Sequence, residues 1–375
     1  MLNRTLTKEL EKRWNSGKAL VILGPRQVGK TTLLKAMCEK DGKYLSFNAD
    51  DNDVRLMFED ATEAKMRQII GDSKTIFIDE AQRIKNIGLV LKLIHDQIPN
   101  VRLLVSGSSS LDIANSINEP LTGRKWEYNL WPISFEELTE NLGIFEAKKQ
   151  LESRLVLGMY PDVINNPADA IDIIKQLTGS YLYKDLLSYQ GIRKPELLDK
   201  LLKALALQLG NEVSYAEISR LLNVDRATIE QYIGLLEKAF VVFRLNPLSR
   251  NLRTELNTNR KVYFYDNGVR NALINDFKPV EFRTDIGALW ENFLISERVK
   301  HNSYHNWYGR TYFWRTYQQQ EIDYVEETNS EFYAYEFKWS KKLKGFISKS
   351  FKEAYKPKEA KIIHRENFES FVGVQ

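Results

Sequence analysis

Short apolar runs and longer helical patterns alternate along the first third of the chain. The runs lie in KALVILG, KYLSFN, KTIFIDE, VRLLVSG and KWEYNLWP. Runs of this length that are rich in β-branched residues predict strands, and the segments between them have the apolar spacing of helices. Strands that alternate with helices indicate an α/β fold with a parallel sheet.

The middle of the chain has a different pattern. From about residue 140 to residue 207 it predicts helices throughout, with a break at Gly158–Asp162, and we interpret this segment as a helical lid. Beyond it, Ser214 and Glu217 have the spacing of a capping box, and Asp225 can cap a second helix before the strand-like FVVFRL. Helix, tight turn, helix and strand in this order are typical of a winged helix.

The final quarter of the chain predicts a third kind of order. A helix in DIGALWENFLISERVKH precedes three strands in TYFWRTY, EIDYVEE and EFYAYEFKW. A helix in KGFISKSFKEAY and a strand in AKIIHR follow them. Two of these strands carry acidic residues.

Composition limits the class of protein. A chain of 375 residues predicts two or three domains, and 43% hydrophobic with 28% charged residues is ordinary for globular proteins. Apolar runs stay well short of the roughly eighteen residues that span a bilayer, so we expect no membrane partner. The single cysteine, Cys38, cannot form an internal disulfide, and MLNRTLTKELEKRW lacks the features of an export signal. We therefore expect a cytoplasmic protein, whose net charge of +4 permits nucleic-acid binding without indicating it.

The segment GPRQVGKT lies between the predicted strand ALVIL and the predicted helix TTLLKAM. In this context the G-x-x-x-x-G-K-T pattern predicts a loop that binds ATP with Mg²⁺. Backbone N–H groups would surround the phosphates, Lys30 would reach the β- and γ-phosphates, and Thr31 would hold the magnesium ion. The predicted ATP-binding residues of the loop are Gly24, Pro25, Arg26, Gln27, Val28, Gly29, Lys30, Thr31 and Thr32.

The acids Asp79 and Glu80 end the predicted strand in KTIFIDE, at the sheet edge where open α/β sheets bind ligands. Asp79 would support the magnesium ion and Glu80 would polarise the attacking water, which favours hydrolysis over passive binding. Ser108, with Ser106 as second choice, would sense the γ-phosphate, unless the loop is merely serine-rich. Arg124 in LTGRK either acts as an arginine finger on a neighbouring subunit's ATP, as in a homo-oligomer, or is solvated.

These segments, together with LTGRKWEYNLWPISFEEL, YPDV, YLYKDL and KVYFYDNGVRNAL, resemble a family of prokaryotic AAA+ type P-loop ATPases. Its members carry a carboxy-terminal domain of unknown function built from a winged helix and a PD-(D/E)XK nuclease-like fold. The resemblance spans essentially the whole chain and implies a five-stranded AAA+ core, while the biological role stays undefined. The predicted domains are an AAA+ P-loop core at 1–140, a helical lid and connector at 141–207, a winged helix-turn-helix at 208–275 and an α/β restriction-endonuclease-like domain at 276–375.

The predicted carboxy-terminal hairpin contains a second candidate site. A turn at Thr328–Glu331 places Asp323 opposite Glu336, with Cβ atoms about 5 Å apart, so the carboxylates repel unless a cation lies between them. Lys338 falls on the same face. This is the PD-(D/E)XK pattern, in which the acids hold Mg²⁺ and the lysine helps to activate water, and Glu291 matches the helical acid of that fold.

Alternatives remain for this half of the chain. A basic cluster able to meet phosphates is predicted at Lys338, Lys341, Lys342, Lys344, Lys349 and Lys352. The hairpin face could instead be solvated, or the fold could be kept for binding or packing, since the proline expected before the first acid is absent. The winged helix could read a DNA groove or serve as a packing module.

The sequence thus predicts an ATP-hydrolysing AAA+ protein whose nucleotide cycle acts on a winged-helix and nuclease-like half that engages DNA. The alternative is a nucleotide-gated regulatory or protein-binding module with an inactive nuclease-like fold. Stimulation of ATP turnover by DNA would distinguish them.

Overall fold

The computed structural model describes residues 2–108, 120–181, 195–249, 260–343 and 345–374. The chain divides into two compact units, one of residues 1–132 with 238–240 and one of residues 133–237 with 241–375. Lys344 of the predicted basic cluster lies outside the described residues, as do parts of the segments SGSSSLDI and YLYKDL.

The first unit is built on a parallel sheet, as the alternating pattern predicts. Within its described residues, five strands pair in the order β2-β3-β4-β1-β5. The strands are β1 Ala19–Leu23, β2 Leu45–Asn48, β3 Thr75–Asp79, β4 Arg102–Gly107 and β5 Lys125–Asn129. Strands β1 and β3 are buried at every residue. Because inner strands of a parallel sheet are covered on both faces, they have continuous apolar runs rather than alternating ones.

Helices connect these strands. After β1 they are α2 Lys30–Asp41, α3 Asn52–Phe58, α4 Glu63–Ile70 and α5 Ile87–Gln97, while α1 Leu6–Arg13 precedes β1. The side chain of Asp51 accepts the Asp53 N–H at the start of α3, and that of Thr62 accepts the Lys65 N–H at the start of α4. Such caps satisfy N–H groups that have no partner inside the helix, so they fix where the two helices begin.

The second unit begins with helices, as predicted for the middle of the chain. They are α6 Phe135–Leu142, α7 Ile144–Leu157, α8 Pro161–Asn165, α9 Ala170–Gln176, α10 Pro195–Leu207, α11 Tyr215–Leu222 and α12 Arg226–Lys238. Helix α7 ends at Gly158, whose φ of 83° is unfavourable for other residues. The later helices are α13 Asn267–Leu273, α14 Ile286–Tyr304 and α15 Lys349–Tyr355. None of the described helices is both long and apolar enough to cross a membrane.

A mixed sheet forms the rest of the second unit. Among its described residues, seven strands pair in the order β12-β11-β10-β9-β7-β8-β6. The strands are β6 Glu212–Val213, β7 Val242–Pro247, β8 Arg260–Phe264, β9 Arg310–Arg315, β10 Glu321–Thr328, β11 Glu331–Phe337 and β12 Glu359–Ile363. Parallel pairing of β7 with β9 joins the strands after the helix-turn-helix segment to the carboxy-terminal strands. The predicted winged-helix and nuclease-like segments therefore share one sheet.

One predicted helix is shorter than expected. The pattern KGFISKSFKEAY predicts a helix across the whole segment, whereas α15 begins only at Lys349. The Ser348 side chain accepts the Phe351 N–H and donates to Gln320 Oε1 at 2.7 Å. Because a serine at this position caps a helix, it ends the preceding extended segment there.

Candidate functional site

The loop between β1 and α2 requires glycine at two positions for different reasons. A Cβ atom on Gly24 would lie 2.1 Å from the Leu130 carbonyl oxygen, so a side chain has no room. Gly29 has φ of 96° at the amino terminus of α2, in the left-handed region that favours glycine. The remaining predicted loop residues, Pro25, Arg26, Gln27 and Val28, lie between them, and Thr31 and Thr32 belong to the first turn of α2.

The Lys30 side chain lies inside the curve of this loop. Its residue is 5% exposed, and Nζ donates to the carbonyl oxygens of Gly24 at 2.8 Å and Pro25 at 2.7 Å. The ammonium is therefore held where backbone N–H groups at the start of α2 attract an anion. Phosphate oxygens can replace the two carbonyls as its acceptors.

Side chains from three elements meet at the carboxyl end of β3. Thr31 Oγ1 donates to Asp79 Oδ2 at 2.7 Å, and the Ser106 hydroxyl donates to the other carboxylate oxygen of Asp79. Asp79 is 8% exposed, and both its oxygens have a protein partner. The structure thus brings together Thr31, the predicted magnesium ligand, and Asp79, the acid predicted to support the magnesium ion. Ser106 contacts the Asp79 oxygen that Thr31 does not.

Glu80 is held by a residue that the sequence analysis did not identify. Gln82 Nε2 donates to Glu80 Oε2 at 2.5 Å and to Ser108 Oγ at 2.9 Å, linking the predicted base to the predicted sensor. Arg26 Nη2 lies 3.9 Å from the same Glu80 oxygen. Glu80 has φ of 51°, a strained conformation for a non-glycine residue. The sequence feature that could have identified Gln82 is its position two residues after Glu80.

Arg4 supports the loop from a distant part of the sequence, and it too was missed. The residue is 8% exposed, with Nη1 donating to the Val28 carbonyl and Nη2 to the Trp131 carbonyl, both at 2.6 Å. Charge-assisted bonds of this kind are among the stronger hydrogen bonds in proteins. Arg4 therefore joins the phosphate-binding loop to the chain just after β5.

Arg124 lies at the amino ends of the strands, whereas the nucleotide loop lies at their carboxyl ends. Its carbonyl oxygen accepts the Ala19 N–H at 2.9 Å, at the amino end of β1, whereas the loop follows the carboxyl end. A strand of this length separates the two edges by roughly 16 Å. Arg124 Nε donates to Asp96 Oδ1 at 2.8 Å, and this bond, with a second one from His95, lowers the pKa of Asp96 to about 2. The structure does not bring Arg124 to the nucleotide loop of its own chain.

The carboxy-terminal hairpin has the register that the sequence predicts. Tyr324 pairs with Tyr335, and one further step places Asp323 opposite Glu336. The Phe337 N–H donates to Asp323 Oδ2 at 2.7 Å. Burial first, and then the charges of Glu291 and Glu336, raise the pKa of Asp323 well above its usual value. The expected repulsion between carboxylates is therefore present.

A lysine ammonium lies among these carboxylates. Lys261 on β8 is 1% exposed, and its Nζ lies 3.0 Å from Glu291 Oε1 and 2.5 Å from Glu321 Oε1. Burial alone would lower the pKa of Lys261, but Glu291, Asp323 and Glu321 raise it above its usual value. Tyr263 also donates to Glu291 Oε1, at 2.5 Å. The repulsion predicted between the acids requires a cation, but no pattern in the sequence indicated Lys261.

Lys338 contacts the acid that precedes it by two residues. Its Nζ donates to Glu336 Oε1 at 2.7 Å, while Glu336 Oε2 is buried and has no hydrogen-bond partner among the described residues. Other lysines of the predicted basic cluster also lie near acids, with Lys341 3.8 Å from Glu366 and Lys349 3.8 Å from a neighbouring glutamate. These acids weaken the attraction of the cluster for phosphates.

Comparisons with known proteins cover most of the chain. Residues 16–139 match the family described as an AAA domain, and residues 148–279 and 286–372 match two families described as domains of unknown function. An uncharacterised protein of Mycobacterium tuberculosis is 29% identical over 344 residues, which are 89% of this chain and 73% of the relative. An uncharacterised protein of Methanocaldococcus jannaschii is 25% identical over 329 residues, which are 75% of this chain and 67% of the relative.

The fold is also found among solved structures. The Walker-type ATPase of Pyrococcus abyssi superposes with a TM-score of 0.52 at 16% identity, over 73% of this chain and 96% of its own. This likeness concerns the fold alone, and the AAA match supports an AAA-type P-loop domain in the first unit. The two other families have no functional description, so the winged-helix and nuclease-like interpretations remain predictions.

Proposed function

Starting from this AAA-type P-loop domain, we propose that the protein hydrolyses ATP with magnesium and that its nucleotide cycle acts on a carboxy-terminal half that engages DNA. The observation that carries the proposal is the 2.7 Å hydrogen bond between Thr31 and Asp79. In the chain, Thr31 directly follows Lys30 and Asp79 directly precedes Glu80. A module that only bound nucleotide would need Asp79 for magnesium but would not need the second carboxylate, Glu80, as a base beside it.

The residues of the first unit have separate roles in this reaction. Thr31 and Asp79 would hold Mg²⁺, which neutralises charge on the phosphates when it is bound. Lys30 would exchange the loop carbonyls for phosphate oxygens. Glu80 would orient the attacking water, and the Gln82 bonds of 2.5 Å and 2.9 Å fix this carboxylate relative to Ser108. Gln82 is therefore a positioning residue.

Arg124 has a place in this proposal only in a homo-oligomer. Its position at the opposite sheet edge, in an exposed ion pair with Asp96 at 2.8 Å, is compatible with reaching the nucleotide of a neighbouring copy. Forming that contact would require the Asp96 pair to open. An exposed ion pair contributes little stability, so this step is inexpensive.

For Arg124→Ala we expect a loss of turnover per subunit on the order of 10³-fold, because an arginine finger stabilises charge on the transferring phosphoryl group. Mixing Arg124→Ala with Lys30→Ala subunits should restore activity at interfaces where an intact lysine faces an intact arginine. Phosphate release is measured across a dilution series, with sedimentation to follow assembly.

Arg67→Ala is the matched control, since Arg67 is an exposed arginine of the same unit that pairs with Glu63 at 2.8 Å. It should keep wild-type turnover. Specific activity that stays constant down to a demonstrated monomer would exclude the finger role.

The second unit supports DNA engagement through its hairpin. Asp323, Glu336 and Lys338 share one face, and one Glu336 oxygen is buried without a partner among the described residues. A divalent ion and a phosphodiester are ligands that this arrangement could take. A specific observation favours the alternative of a regulatory or protein-binding module, namely the buried Lys261 ammonium, which already neutralises the acids.

We expect DNA to raise ATP turnover, and the stimulation to fall as salt rises, because phosphate contacts release counterions. Single-stranded, branched and linear duplex DNA are each offered with Mg²⁺ and with Mn²⁺, and phosphate release and DNA cleavage are both recorded. If cleavage occurs, Asp323→Asn and Lys338→Met should abolish it while ATP turnover persists, because the two sites belong to different units.

Lys358→Met is the control for lost positive charge, since Lys358 is exposed and pairs with Glu331 at the hairpin turn, at 2.8 Å. Polyglutamate tests whether any polyanion has the same effect. If no DNA changes ATP turnover under any of these conditions, the regulatory or protein-binding alternative replaces the DNA proposal.

A further inference from the structure

A third group of side chains meets in the second unit, apart from both sites above. Glu136 of α6 lies against His301 of α14 and His305, which directly follows that helix, with Oε2 3.1 Å from His301 Nδ1 and Oε1 2.9 Å from His305 Nε2. The histidines are four residues apart, so their rings lie on one helix face, with ring centres 4.3 Å apart. Among the described residues, this is the set of three His, Cys, Asp or Glu ligand atoms that converges to within 4.8 Å.

We propose that Glu136, His301 and His305 bind a divalent first-row transition-metal ion, with Zn²⁺ as first choice. Two imidazole nitrogens and one carboxylate oxygen are a donor set that zinc accepts, whereas magnesium and calcium prefer oxygen ligands throughout. In a tetrahedral site with bonds of about 2.0 Å, the ligand atoms lie about 3.3 Å apart. From the single oxygen Glu136 Oε2, the separations of 3.1 Å to His301 Nδ1 and 3.2 Å to His305 Nε2 differ from this by one or two tenths of an ångström.

The surroundings leave room for an ion and for a further ligand. The three side chains line a cavity of about 600 Å³ together with Thr139, Glu140, Gly373 and Val374. Three protein ligands leave one tetrahedral position open. The Thr139 hydroxyl is buried and has no hydrogen-bond partner among the described residues, so it is available to a water molecule in that position.

Gly373 shows how closely the backbone approaches the ligand set. Its φ is 91°, and a Cβ atom there would lie 2.2 Å from His301 Nδ1 and 3.0 Å from Glu136 Oε2. Any side chain at this position would occupy the space next to the ligand atoms. Glycine therefore keeps the donor atoms of His301 and Glu136 accessible to an ion.

The competing explanation is a hydrogen-bonded contact between α6 and α14 without a metal. Both explanations use the Glu136 distances, but they differ in what each imidazole provides. A hydrogen bond to the carboxylate needs a proton on the facing nitrogen, whereas a metal needs the lone pair of that nitrogen. Direct metal binding therefore separates them.

The test uses the full chain without a histidine tag, free of nucleotide and DNA, with zinc titrated against a chromophoric chelator. The wild-type protein should bind one zinc ion at this site, and His305→Gln should weaken that binding by at least about tenfold through loss of a ligand. His305 is the preferred variant because its side chain is 44% exposed, so its replacement disturbs packing least. Glu136→Gln should have the same effect.

His364→Gln is the matched control, because His364 lies in the same unit and contacts the Glu366 N–H, not the cluster. Bound Co²⁺ gives a second reading through its visible absorption, which should be present in the wild type and in His364→Gln and lost in His305→Gln. Circular dichroism checks that each variant is folded. If His305→Gln binds zinc within about twofold of the wild type, or the wild type binds none, the group is a hydrogen-bonded contact and the proposal fails.

Discussion

Lys30→Ala should abolish ATP binding or turnover, whereas Glu80→Gln should bind ATP and hydrolyse it on the order of 10²- to 10⁴-fold more slowly. The lysine ammonium lies inside the phosphate-binding loop, 2.8 Å from the Gly24 carbonyl, so its removal takes away the charge that meets the phosphates. The glutamine keeps the shape of Glu80 and loses the base. Calorimetry measures ATP binding, and phosphate release measures turnover separately.

Two further variants sharpen this result. Gln82→Ala should lower turnover with little effect on ATP affinity, because Gln82 contacts Glu80 at 2.5 Å and only positions it. Lys35→Ala is the control for Lys30, being an exposed lysine of the same helix α2. Wild-type hydrolysis by Glu80→Gln would show that the base has been assigned to the wrong residue.

Lys261→Met should lower the free energy of unfolding by about 3–5 kcal/mol, because it leaves buried carboxylates without their cation. The folded state raises the pKa of Asp323 above its unfolded value, so that group stabilises the fold at low pH and loses this contribution as pH rises through the folded pKa. With Lys261 removed, the deficit should grow as pH rises above the ordinary pKa of an aspartate, about 4, and through the raised folded pKa. Urea unfolding at each pH measures it.

Magnesium gives this experiment a second use. If the hairpin acids can hold a divalent ion, Mg²⁺ should restore part of the stability of Lys261→Met, and Asp323→Asn in the same chain should remove that rescue. Lys203→Met, at an exposed lysine that pairs with Asp199 at 2.8 Å, should change stability by no more than about 0.5 kcal/mol. An unfolding free energy for Lys261→Met within about 1 kcal/mol of the wild type would contradict the counter-ion role.

The features that could be predicted from the sequence are those set by residues close together along the chain. The loop around Lys30 follows from one strand, two glycines and one helix, and the turn after Thr328 sets the register that brings Asp323 opposite Glu336. Turn position fixes pairing in a hairpin, so counting outward from it is sufficient. The parallel sheet of the first unit was predicted for a similar reason, because apolar runs alternate with helical patterns along the sequence.

What the sequence analysis missed depends on contacts between distant segments. Lys261 contacts Glu291 across thirty residues, and Glu136 contacts His301 across 165. Neither spacing marks a pair, because these contacts arise only after the sheet and helices of the second unit have packed. Arg124 is a different case, because it directly precedes β5 and the residue before a strand of a parallel sheet lies at the amino ends of the strands, away from the loop. Its position therefore follows from the sequence once the sheet is known to be parallel.

The pairing of β7 with β9 has a consequence for how the second unit must be made. Asn246 pairs with Tyr312 and Pro247 with Phe313, so strands on either side of residue 275 are neighbours. A chain divided at that boundary would leave both strands with unpaired backbone groups along a sheet edge. Such edges pair readily with other chains, so the separated pieces would tend to aggregate. We therefore expect the strands that follow α12 and the carboxy-terminal hairpin to fold together, so a mutation that unfolds one should destabilise the other.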